Sequence, residues 1–146
     1  MKISQMQQLL EARVLCCEEN IDHHVYSACG CDLMSDVLAC VTDQVVLLTG
    51  LVNPQVIRTA LMMDMTCIVF VRSKTPSEDM IKLAEENGIV LLSTDKTLYI
   101  ACGELYTNGL AVLNQKESDM PSALLELGFM TNETDFLMLR SAYWQN

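Results

Sequence analysis

From residue 45 onward the chain repeats one pattern: a short apolar run, a polar break, then an amphipathic segment. VVLLTGLVNPQVIRTALMMD, CIVFVRSKTPSEDMIKLAEENG and IVLLSTDKTLYIACGELYTNG carry it three times, their apolar runs beginning at Val45, Cys67 and Ile89. Continuous apolar runs that alternate with helices are the mark of strands buried on both faces of a parallel sheet. The helix starts are marked as well. Asn53-Pro54 offers a cap followed by proline at the first helical position. Thr75-Pro76-Ser77-Glu78 reads as a capping box with proline in the same place. Gly88 and Gly109 close the second and third helices. The pattern predicts three consecutive βα units.

The flanks are less regular. Ile3, Met6, Leu9 and Leu10 share one face of a helix predicted over residues 3–12. RVLCC and VYSAC are β-prone runs separated by EENIDHH, which predicts a hairpin or a close crossover. DLMSDVLACV reads as a helix with Asp32 as its cap. Beyond Gly109 the rhythm changes: ALLEL after Pro121 reads as a strand, and ETDFLMLRSAYW as a closing helix capped by Asn132. The expected fold is an α/β three-layer sandwich with a mostly parallel central sheet built from successive βα units. A C-terminal strand–helix extension follows it.

Composition narrows the classes of function. The 146 residues are 51% hydrophobic and 19% charged, a globular balance. A net charge of −10 and 5% aromatic content leave no basic stripe for phosphate backbones and little surface for stacking bases, so nucleic acid is not expected as a partner. No apolar run approaches the ~20 residues of a membrane span. MKISQMQQLLEARV lacks the apolar core of a signal peptide. With no export signal, seven cysteines read as reduced thiols of a cytoplasmic protein. Among the ten methionines, those of TALMMDM suit either a partner surface or a core face.

In an open parallel sheet, ligands bind beyond the carboxyl ends of the strands. Those ends carry Thr49, Gly50 and Asn53, then Arg72, Ser73 and Lys74, then Ser93 and Thr94. Each precedes a helix start, where free N–H groups favour an anion, and Arg72 and Lys74 add positive charge. A phosphate or carboxylate ligand, such as a phosphorylated small molecule, fits that combination. There is no glycine–lysine phosphate loop, no GxGxxG and no GxSxG elbow, so no catalytic set emerges.

CCEENIDHHVYSACGC, residues 16–31, raises the question of metal. A set of Cys17, His23, Cys29 and Cys31 is the conceivable zinc site, although its spacing lacks the usual CxxC pairs. Buried reduced thiols are the commoner outcome for such cysteines, so no cofactor is expected.

Two family resemblances enter here. CDLMSDVLA, VVLLTGLVNPQVIRTA, PSEDMIKLAEENGIVLLST and ACGELY resemble the DRTGG domain, a regulatory module related to the N-terminal domain of HPr kinase. Over residues 1–110 the resemblance implies a non-catalytic, sensory role and, from larger relatives, nucleotide binding; the expected protein is a regulatory homodimer that takes its ligand at the strand ends. Thr49 and Gly50 match the naming motif. Leu51-Val52 stand where Asp-Arg is expected, and Arg72-Ser73 stand in place of its glycine pair. The tail 111–146 is similar to the C-terminal segment of zinc-dependent N-acetylmuramoyl-L-alanine amidases through MPSALLELGFMTNETDFLML. That likeness implies an alternative, a peptidoglycan-hydrolase remnant in which Glu126 would assist zinc-bound water. A third reading is a dimeric interaction module without a ligand.

Overall fold

A computed structural model describes residues 1–40 and 44–112. Expectations for Pro121, the strand with Glu126 and the helix after Asn132 lie outside the described residues. The strands are β1 (Arg13–Cys16), β2 (Ser27–Gly30), β3 (Val45–Thr49), β4 (Cys67–Phe70), β5 (Val90–Ser93) and β6 (Ala111–Val112). The helices are α1 (Ile3–Leu10), α2 (Met34–Cys40), α3 (Pro54–Met62), α4 (Glu78–Glu86) and α5 (Leu98–Thr107). One sheet runs in the order β1-β5-β4-β3-β2-β6, parallel throughout except for β1, which pairs antiparallel with β5. β6 pairs with β2, so the sheet takes in residues just past 110.

Strand neighbours point to opposite faces, so a strand buried on both sides must be apolar throughout. β3, β4 and β5 are buried at every position. Val46, Leu48, Cys67, Val69, Val90 and Leu92 pack on one side with Ile3, Met6 and Leu10 of α1 and Ala101 and Leu105 of α5. Val45, Leu47, Ile68, Phe70 and Leu91 pack on the other with residues of α2, α3 and α4. The expected three-layer α/β sandwich is the observed one.

Three local expectations are corrected. β1 and β2 form no hairpin, since four strand positions separate them, ~19 Å at ~4.8 Å per strand. The backbone between them is committed to the start of α1 instead. Ile3 N–H donates to His23 O, Ser4 N–H to Ile21 O, and Val25 N–H to Met1 O. Asp32 does not cap α2; its carboxylate turns to the end of β3. The α4 cap is Ser77, whose hydroxyl accepts from Met80 N–H. Thr75 and Pro76 therefore lie outside that helix. The α3 start is as expected, with Asn53 accepting from Gln55 N–H and Pro54 at the first position.

Candidate functional site

All eight candidate ligand residues lie at the carboxyl edge of β3, β4 and β5, and backbone pairing fixes how those strand ends meet. Val71 N–H donates to Thr49 O, Arg72 N–H to Lys96 O, and Ser73 N–H to Thr94 O. The loop after β4 is thereby tied to β3 on one side and to the β5 loop on the other.

At the end of β3 the chain supplies its own anion. One carboxylate oxygen of Asp32 accepts from the Thr49 hydroxyl at 2.9 Å and from Gly50 N–H at 2.7 Å. Thr49 Oγ1 in turn accepts from Leu51 N–H at 3.1 Å. A carboxylate receiving two donors is a strong, charge-assisted arrangement. It fills the position a ligand's anionic group would have taken at this turn. Asn53 is committed as a helix cap.

The β4 end is different. Arg72 and Ser73 are both left-handed, with φ of 58° and 60°. Non-glycine residues rarely adopt that region, and two in succession store strain. These are the same two positions at which the DRTGG resemblance expects a glycine pair. The arginine side chain lies back at the end of β3: a Cβ on Gly50 would sit 2.5 Å from Arg72 Nη2. Glycine at position 50 therefore gives the guanidinium its place. Arg72, Ser73 and Lys74 are all exposed. The Arg72 side chain makes no hydrogen bond or ion pair among the described residues; the ion pair of this region is Lys96–Glu104, at 3.4 Å.

Ser93 and Thr94 contribute differently from the expectation. Both are buried. Ser93 Oγ donates to Lys74 O at 2.8 Å and accepts from the Arg13 guanidinium at 3.2 Å. Thr94 Oγ1 donates to Leu10 O at 2.7 Å and accepts from Lys96 N–H. Their hydroxyls are spent on holding the loops, so they position the site and do not face a ligand. Ser73 Oγ donates to Asp95 at 2.6 Å. What faces solvent is two cations, Arg72 and Lys74, beside two carboxylates, Asp32 and Asp95.

Sequence reasoning missed Asp32 as a strand-end residue, Asp95 as the Ser73 partner and Arg13 as a support from the edge strand. The signal for Asp32 was its place just after β2, level with the other strand ends. Arg13 had none, because its role depends on β1 pairing with β5. A groove of about 380 Å³ between α3 and α4, lined by Pro54, Arg58, Met80, Lys82 and Leu83 among others, contains none of the eight candidates.

The conceivable metal set is not brought together. Cys17 lies beyond β1, its thiol toward the carbonyls of Ala84 and Glu85 near the end of α4. Cys29 and Cys31 share the opposite region of the sheet, packed on the α2–α3 side. His23 is exposed in the loop beside α1. No cluster of three or more ligating side chains occurs among the described residues. Burial pushes the Cys16 and Cys102 thiols up to about 12, and it raises those of Cys17 and Cys67 as well. Thiols so raised stay protonated at neutral pH and are poor ligands and nucleophiles.

Among solved structures, the chain is similar to the CBS and DRTGG domains of the regulatory region of Clostridium perfringens pyrophosphatase, a structure complexed with the activator diadenosine tetraphosphate. The TM-score is 0.61 at 16% identity, covering 80% of this chain and 51% of that one. At that identity the likeness is one of fold, and the chain spans about half the length of its neighbour. No protein-family profile matches the sequence, and no curated protein is detectably similar to it. No helix among the described residues is long and apolar enough to cross a membrane.

Proposed function

We propose that this chain is a non-catalytic, cytoplasmic regulatory module of DRTGG type that senses a phosphorylated small molecule at the β4–β5 strand ends. The observation that carries the reading is Arg72. Its guanidinium lies over Gly50 on a left-handed backbone and makes no ion pair among the described residues. Single left-handed residues also occur at Glu11, Gln44 and Asp64, but Arg72 and Ser73 adopt that region in succession, and the reading gives that cost a use. The neighbour of similar fold is complexed with a nucleotide activator, which favours a nucleotide or another polyphosphate over a simple carboxylate. The module acts as a homodimer.

A thermal-shift screen with adenine nucleotides, dinucleotide polyphosphates and sugar phosphates tests this. At least one compound is expected to raise the melting temperature. Replacing Arg72 by alanine removes a charge-assisted contact of roughly 1.5–3 kcal/mol, about ten- to a hundredfold in affinity. The exposed cation also makes binding weaken with salt. If no phosphorylated compound shifts the melting temperature, the sensing role is wrong.

A further inference from the structure

Two opposite charges meet at Gly50. Asp32 Oδ1 accepts from its N–H at 2.7 Å and from the Thr49 hydroxyl at 2.9 Å. A Cβ on the same residue would stand 2.5 Å from Arg72 Nη2. Yet the carboxylate and the guanidinium form no ion pair with each other. The donors that hold Asp32, a backbone N–H and a hydroxyl, are of the kind that also hold a phosphate oxygen. A phosphate group taken by Arg72 over Gly50 therefore stands against the carboxylate, and two anions at one glycine repel. The carboxylate has to give way.

The chain on either side of Asp32 decides which element responds. Before it the backbone is fixed: β2 pairs with β3 up to Gly30, and Cys31 N–H donates to Leu48 O at 3.0 Å. After it Leu33 is 58% exposed, and α2 follows at once. α2 is the shortest of the α-helices at seven residues, and Met34 and Val37 are its buried side chains among the described residues. Ser35, Asp36, Leu38 and Ala39 are exposed. Asp32 is exposed as well, so water can replace Thr49 and Gly50 as its donors. Elements with few buried contacts open at the lowest cost. A shift of Asp32 is thus passed on to α2 and not back into the sheet.

We infer that Asp32 is a built-in competitor of the ligand's phosphate, and that exchange of the two anions at Thr49 and Gly50 releases the start of α2. The hydroxyl and the N–H pass from carboxylate to phosphate oxygen, Arg72 gains a counter-charge, and the carboxylate goes to water. While the site is empty, Asp32 keeps the β3 turn satisfied. It also sets a threshold, because a polyphosphate gains more from Arg72 and Lys74 than a single carboxylate does. The exchange rests on the phosphate site of the proposed reading and supplies its output, a change in α2.

Inorganic triphosphate, titrated calorimetrically into the full chain at fixed ionic strength, tests this. Asp32→Asn keeps an oxygen to accept from both donors but removes the charge, so the fold is retained and triphosphate binds about tenfold tighter than to the parent. Glu86→Gln removes an exposed carboxylate from the last residue of α4 and changes the affinity by less than about twofold. Hydrogen exchange reads the output. Triphosphate speeds exchange at residues 34–40 of the parent by about tenfold, whereas in Asp32→Ala these amides exchange fast with or without it. Equal affinity in Asp32→Asn and the parent overturns the inference, as does binding that leaves exchange in α2 unchanged. In either case, binding that still depends on Arg72 leaves the phosphate site standing. Triphosphate that does not bind at all removes that site, and the anion exchange with it.

Discussion

The ends of β3 and β4 are adjacent in the sheet, yet they solve the same problem in opposite ways. Both finish in turns whose N–H groups and hydroxyls need partners. At β3 an internal carboxylate, Asp32, takes the Thr49 hydroxyl and Gly50 N–H. At β4 the chain adopts two left-handed residues and leaves a guanidinium over Gly50 that makes no ion pair among the described residues. The first turn is complete as folded. The second is held at a conformational cost and keeps its charge available. A strand-end residue type therefore does not by itself make a ligand group. Whether the fold already supplies the complementary charge decides it.

Removing the internal anion has the largest expected effect. In Asp32→Ala the buried Thr49 hydroxyl and the Gly50 N–H lose their acceptor, at a cost of about 1–3 kcal/mol. Denaturant unfolding measures that loss. The vacated turn then resembles an anion site, so added phosphate or sulfate restores part of the stability of Asp32→Ala beyond its effect on the parent. An Asp32→Ala protein as stable as the parent, with no response to anions, would show the β3 turn is not held by this carboxylate.

Much of the fold was legible because the three apolar runs are continuous and buried on both faces. No other arrangement satisfies VVLLT, CIVF and VLLS so directly. The edge elements were not legible. β1 and β2 are short, and their apparent hairpin dissolves because the intervening backbone pairs with the start of α1. The eight candidates do follow β3, β4 and β5 in the structure, yet their roles could not be read. Ser93 and Thr94 are indistinguishable in sequence from ligand hydroxyls, and only the approach of Lys74 O and Leu10 O shows them spent. The left-handed pair at 72–73 was hidden for a simpler reason. Arginine and serine do not announce positive φ as glycine does.

A smaller effect, of opposite sign, is expected at the β4 turn itself. Left-handed backbone costs a non-glycine residue roughly 1–2 kcal/mol, partly offset by the greater unfolded-state entropy of glycine. Arg72→Gly is therefore expected to be more stable than the parent by up to about 1 kcal/mol while losing the phosphate-induced thermal shift. Ser73→Gly gains less, since it gives up the 2.6 Å hydrogen bond to Asp95. Stability and binding moving in opposite directions is the signature of strain kept for function. If Arg72→Gly is both less stable and still responsive to ligand, the strain has no such role.

The smallest change in stability, and the sharpest test of the contact between the two strand ends, comes from Gly50→Ala. The added Cβ would meet Arg72 Nη2 at 2.5 Å, the far end of a flexible side chain, so the guanidinium swings away and the backbone stays. The β3 turn keeps its bonds to Asp32, and the unfolding free energy changes by no more than about 0.5 kcal/mol, as for surface substitutions. The displaced arginine nevertheless no longer lies where the two strand ends meet. A phosphorylated ligand that uses it there should lose affinity, approaching the loss in Arg72→Ala, in a protein that is otherwise unchanged. Equal affinity in Gly50→Ala and the parent would show that ligand meets Arg72 in some other orientation, and that its seat over Gly50 is only a resting place.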